Sequence, residues 1–167
     1  FGNETLYAAK KNSPPKRRIC FDLDLMSSFL LAQNIQLNNI NNVDNYFLAV
    51  SEKEEFINFP GENTNYACVK GRPKYDTISL NTFGMSVDEF INKTKIYPNY
   101  IKIDVDGTED KLVLGMLKIL KNECLKSIFI EVDDRTISQV RKTLKESNWK
   151  EILCKKNGNT FNLIFKK

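Results

Sequence analysis

"YIKIDVDGTEDKLVLGMLKILKN", residues 100–122, decides how this chain folds. Residues 100–105 read as an apolar strand, and Gly107 supplies a turn directly behind it. From Glu109 to Asn122 the period changes to that of a helix, apolar at Leu112, Val113, Met116, Leu117 and Leu120. A strand feeding a helix is the first half of a β-α-β unit, and the flanking sequence extends it. On the N-terminal side "SVDEFINK" (86–93) predicts a short helix with Ser86 as N-cap and Glu89 at the capping-box position. On the C-terminal side "KSIFIEVD" (126–133) predicts a strand and "ISQVRKTLKESN" (137–148) a helix. "WKEILCKK" and "TFNLIFKK", joined by "NGN", predict an antiparallel terminal hairpin.

The first half follows the same alternation. "ETLYAAKK" (4–11) is a short helix stopped by "NSPP", whose prolines cannot continue it. "RRICFD" (17–22) is a strand, and "LMSSFLLAQNIQLN" (25–38) a helix placing Met26, Phe29, Leu30 and Leu37 on one face. "NYFLAV" (45–50) is the next strand, followed by strand-like "EEFINF" and "DTISLNTF" around a Gly- and Asn-rich loop. The pattern is α/β: a mostly parallel sheet covered on both faces, with an antiparallel C-terminal hairpin, as one domain over residues 1–167.

Composition narrows the chemistry. Hydrophobic content of 41% with 28% charged residues is that of an ordinary globular chain able to bury a core. The net charge of +4 is dispersed as single lysines without a basic, aromatic-interleaved run, which argues against a nucleic-acid partner. No apolar stretch reaches the length of a membrane span. Cys20, Cys68, Cys124 and Cys154 form no C-x-x-C pair and read as reduced core thiols of a cytoplasmic protein. There is no histidine, which removes Ser-His-Asp triads, Cys-His dyads and imidazole bases. Any chemistry must come from carboxylates, Lys, Tyr, Ser, Thr or a bound cofactor.

Ligands of doubly wound sheets bind beyond the carboxyl ends of the strands. Asp22, Ala49 to Ser51, Asp104 to Gly107 and Glu131 to Asp133 all fall at such ends. Gly2 precedes a helix, and Asp22 lies twenty residues further on at the end of the next strand. A nucleotide fold uses this spacing, a glycine at the backbone approach and a carboxylate on the ribose hydroxyls, although a strand-end aspartate is the simpler explanation. "IDVDG" fails the register of an EF-hand calcium loop. Asp104 to Thr108 match the D-x-D-G-T of haloacid-dehalogenase-like phosphatases, with "EVDD" (131–134) as a late acidic pair. The separation of about 25 residues is too short for that fold, and the motif sits late in the chain. A plain structural account gives Gly107 a tight turn and leaves Glu109 and Asp110 favouring a helix N-terminus.

A third reading rests on resemblance. "TISLNTFGMSVDEFINKTKIYPNYIKIDVDGTEDKLVLGMLKIL" followed by "SIFIEVD" resembles the core of the FkbM-type S-adenosylmethionine-dependent methyltransferases, with their s-V-D-E-f helix, I-K-I-D-V-E-G-x-E strand end and v-L-x-G. "FGNETLYAAKK", "ICFDLDLMSSFLLAQNIQLNNI" and "FLAVSEKEE" are similar to the family's glycine segment, second strand and third strand. Asp22 stands at a usual glutamate, and Leu23 and Leu25 replace prolines. The leading D-x-G-A-N and its strand have no counterpart, so the resemblance implies a chain truncated at its N-terminus. Such a chain is expected to bind the cofactor weakly or not at all.

The resemblance implies a Rossmann-like class I fold and S-adenosylmethionine as cofactor. Gly2, Asp22, Asp24, Ala49, Ser51 and Asp104 would be cofactor-binding, with Asp22 on the ribose and Ala49 to Ser51 flanking adenine. Asp104 or Asp106 would be the base or acceptor-orienting group, and no metal is implied. The acceptor would be a small-molecule hydroxyl on a sugar, lipid or polyketide, with residues 52–85 forming one wall of its site. A non-catalytic Rossmann-like remnant is the remaining alternative, and oligomeric state is left open.

Overall fold

The computed structural model describes residues 2–11, 16–60, 79–105 and 107–167. Asp106, Cys68, "NSPP" and the Gly- and Asn-rich loop lie outside the described residues. The chain divides into two compact units, residues 1–50 with 55–84, and residues 51–54 with 85–167.

In the first unit α1 (Asn3–Lys11) leads into β1 (Arg18–Asp22), α2 (Leu25–Leu37) and β2 (Val43–Phe47). β1 and β2 pair in parallel with Arg18 opposite Val43 and Asp22 opposite Phe47, completing a β-α-β crossover. The Thr5 hydroxyl and Cys20 thiol lie 3.3 Å apart, and the Arg18 guanidinium donates to the Ala8 carbonyl at 2.8 Å, tying α1 to β1. Asp24 caps α2, accepting from the Ser27 amide at 2.9 Å and its hydroxyl at 2.7 Å. The face of α2 that packs is not the one its apolar periodicity suggests. Ser28 and Leu31 are buried, whereas Met26, Phe29 and Leu37 are exposed. An uncharged helix offers more than one apolar stripe, and β1 and β2 select the one they cover.

The expected strand 45–50 is two strands. β2 ends at Phe47, and Ala49–Val50 (β3) joins a separate sheet of order β3-β5-β4 with β4 (Glu55–Pro60) and β5 (Ser79–Met85). Leu48 at the junction donates its amide to the Asp22 carbonyl at 3.1 Å. β4 and β5 are antiparallel, with Phe56 opposite Phe83 and Asn58 opposite Asn81.

The second unit is built on β6 (Tyr100–Asp104), β7 (Ser127–Asp133), β8 (Lys150–Asn157) and β9 (Thr160–Lys166), in the order β6-β7-β9-β8. β6 and β7 are parallel, while β9 pairs antiparallel with both β7 and β8. The "NGN" turn closes the β8–β9 hairpin with Gly158 at φ 60°. Ile128, Ile130 and Val132 alternate inward along β7, joined by Leu163 and Phe165 from β9, and all five are buried. α3 (Val87–Thr94) carries the complete capping box between Ser86 and Glu89. β8 is exposed along its whole length, an edge strand that Lys150, Lys155 and Lys156 blunt.

The helix expected over 109–122 is broken into α4 (Glu109–Leu114) and α5 (Leu117–Lys121). Gly115 sits at the break, because its backbone lies against the Ser51 carbonyl, the Glu52 Cα and the Ser86 Cβ. The Asp88 carboxylate then accepts from the amides of Lys118 at 2.7 Å and Ile119 at 2.8 Å, capping α5 from α3. The break rotates the buried face, so Ile119 is inside and Leu117 is exposed. Burial also corrects the expectation of core thiols: Cys124 and Cys154 are exposed and Cys20 is half-buried, all three unpaired. α6 (Ile137–Glu146) buries Val140 and Leu144, and the Trp149 indole donates to the Leu120 carbonyl at 3.0 Å. Among the described residues no helix is long and apolar enough to cross a membrane.

Candidate active site

Four of the expected residues, Gly2, Asp22, Asp24 and Ala49, belong to the first unit. Gly2 introduces α1 at φ 70°, where a side chain would be strained, and a Cβ there would run into Leu31. Its carbonyl accepts the Leu6 amide at 2.9 Å, the first turn of α1. Asp22 ends β1 half-buried, and its Oδ1 accepts the Asp24 amide at 2.9 Å. Its other carboxylate oxygen has no hydrogen-bond partner among the described residues. Burial pushes the Asp22 carboxyl above its ordinary pKa, with the Asp24 amide opposing this and the Asp24 charge adding to it. Asp24 is different: its carboxylate accepts from the amide and the hydroxyl of Ser27 and so caps α2, the geometry of a helix terminus. Ala49 is buried in β3.

In the second unit Ser51 is buried, its amide donating to the Met85 carbonyl at 3.0 Å while its own carbonyl backs Gly115. Asp104 ends β6 with its side chain 52% exposed and paired with the Lys102 ammonium, two residues back on the same face. The register sets Asp104 opposite Glu131, whose Oε1 accepts from the Thr160 hydroxyl at 3.0 Å. Asp104 and Glu131 therefore share the face opposite the inward Ile103 and Ile130.

The anchor behind Gly107 is Glu109, expected from the sequence to be a plain helix-terminal acid. It is buried; Oε1 accepts the Gly107 amide at 2.7 Å and Oε2 the Thr136 hydroxyl. Gly107 has φ 82°, and a Cβ there would stand 2.7 Å from Arg135 Nη2. The Arg135 guanidinium pairs with Asp133 and holds that carboxyl below its usual range. The terminal Glu of the I-D-V-E-G-x-E pattern was the available signal for Glu109. Asp88 had only the D of the s-V-D-E-f pattern and Thr136 no signal, because their roles depend on residues about thirty positions away.

No protein-family model matches the sequence, and no curated protein does. Among solved structures, methyltransferase FkbM from Methylobacillus flagellatus KT aligns with a TM-score of 0.66 at 10% identity, over 91% of this chain and 36% of that one. M. jannaschii TYW2 in complex with AdoMet aligns with a TM-score of 0.45 at 14% identity, over 98% of this chain and 63% of that one. The chain thus spans about a third of the length of the first structure. The fold is the Rossmann-like one of that methyltransferase.

Proposed function

We propose that the chain is the core of an S-adenosylmethionine-dependent methyltransferase acting on a hydroxyl of a small molecule. The observation that carries this is Asp22: a half-buried carboxylate at the carboxyl end of β1, with one oxygen committed to a backbone amide and the other without a partner among the described residues. A pair of ribose hydroxyls would satisfy that oxygen, and a charge-assisted hydrogen bond rewards them more than a neutral one. Gly2 adds a positive-φ entry to α1, whose N-terminal end suits the polar part of the same ligand. The fold shared with methyltransferase FkbM supports the reading. The cofactor, when bound, supplies an electrophilic methyl group on its sulfonium.

The protein's own part is positioning and proton handling. Asp22 orients the ribose, and Ala49 and Ser51 are assigned to the adenine. Asp104, at the end of β6, accepts the proton of the attacking hydroxyl, with Lys102 fixing its rotamer. Asp24 supports Asp22 through its amide instead of binding the ligand directly. Asp106 is kept as the acceptor-orienting residue. Sugar, lipid and polyketide hydroxyls remain the acceptor classes.

Titration of the protein expressed from its whole reading frame with S-adenosylhomocysteine tests this. Asp22→Ala should weaken binding by about 1.5–3 kcal/mol, roughly 10- to 150-fold, the range for hydrogen bonds to a charged group. Equal affinity in parent and variant would refute the assignment of Asp22.

A further inference from the structure

We infer that the outer face of α2 is a self-association surface on which a second copy of the chain packs its own α2 antiparallel. The apolar periodicity of this helix points outward: Leu25 is 65%, Phe29 54% and Leu37 79% exposed, with Met26 beside them. Isolated surface leucines need no explanation, but these four follow one another along a single helix.

Several features select a second copy as the occupant. No residue from Leu25 to Leu37 is charged, so two such faces meet without opposing like charges. The ends of the helix are complementary: Asp24 caps the N-terminus, while the Lys10 ammonium sits at the C-terminus, donating to Asn38 Oδ1 at 2.6 Å. Antiparallel packing brings Asp24 of one copy beside Lys10 of the other, twice around the two-fold axis, and opposes the helix dipoles favourably. Met26 and Phe29 then meet Leu37 and Gln33 of the partner copy, and Gln33 lies close to the axis. The exposed parts of Leu25, Met26, Phe29 and Leu37 amount to roughly 400–500 Å² per copy, so a pair approaches the roughly 1,000 Å² that a specific interface clears.

The test is light scattering of the chain over a concentration series, with Phe29→Glu, Leu37→Lys and Gln33→Cys. The expected result is mass rising from 19.3 kDa to twice that value. Either charged variant should raise the dissociation constant about a hundredfold or more, because a buried unpaired charge replaces an apolar contact, with circular dichroism unchanged. Gln33→Cys should form a disulfide-linked dimer on mild oxidation, above the background of the parent with its exposed Cys124 and Cys154. A parent that stays monomeric throughout would overturn the inference. So would a dimer that survives both charged substitutions, since another surface would hold it. Loss of folding in Phe29→Glu together with a monomeric parent would show that this chain itself covers the face.

Discussion

Gly115→Ala separates intrinsic propensity from tertiary packing because the two give opposite signs. Gly115 has φ −74° and ψ 3°, a conformation alanine adopts without strain. On propensity and unfolded-chain entropy alone the substitution stabilises by about 0.4–1 kcal/mol. The structure reverses this. The new Cβ would fall deep inside van der Waals contact of the Ser51 carbonyl oxygen, and 3.0 Å from both the Glu52 Cα and the Ser86 Cβ. Two of these three neighbours are backbone, so no rotamer change relieves the overlap. Ser51 is also held by the hydrogen bond its amide donates to the Met85 carbonyl, and Ser86 by its capping box. Overpacking costs about 1–3 kcal/mol, and an overlap this deep on fixed backbone falls at about 2–3, leaving a net loss of about 1–2.6 kcal/mol after the propensity gain. Thermal melting should show a drop of about 2–10 °C for a chain of this length. Hydrogen exchange should locate the damage, with the Ser51 amide exchanging faster relative to the amides of β7. A variant melting at or above the parent temperature would refute the packing account of the break between α4 and α5.

Glu109→Ala orphans the Gly107 amide and the Thr136 hydroxyl, both turned toward a buried carboxylate, and should cost about 3–5 kcal/mol by urea unfolding. Thr136→Val should cost less, and equal losses would mean the carboxylate itself is dispensable. Asp22 has a raised carboxyl pKa, so the stability it contributes is fully present below the unfolded value of 3.8 and is lost as pH rises through the folded value. Asp22→Asn removes that loss, so its melting temperature relative to the parent should climb from pH 4 toward neutrality. A flat difference across that range would show that the charge is not strained. Asp104→Asn should lower methyl transfer by about 10²–10⁴-fold while cofactor affinity stays within a few-fold. Magnesium-dependent phosphate release abolished by the same substitution would instead identify a phosphatase.

Local signals in the sequence were enough for most elements. The Ser86–Glu89 box, the "NGN" turn and the period change after Gly107 each involve residues within four positions, and each appears where local chemistry puts it. The strand-end positions of Asp22 and Asp104 were legible for the same reason: alternation and a following turn are properties of short segments. Position did not reveal occupation. Asp24 is engaged with Ser27, Asp104 with Lys102, and Glu109 with Gly107 and Thr136, and only folding brings Thr136 to Glu109.

Tertiary structure decided what periodicity leaves degenerate. α2 is uncharged through its length, so its sequence could not say which stripe is covered, and the strands chose Ser28 and Leu31. The run from Glu109 to Asn122 has a helical period throughout, and it breaks because the Ser51 carbonyl occupies the space a continuous helix with side chains would need. The hairpin was predictable from its turn, but not that β9 would insert between β7 and β8. That placement pairs β9 with β7 along its whole length and leaves the lysine-bearing β8 at the edge, where burial and charge both favour it.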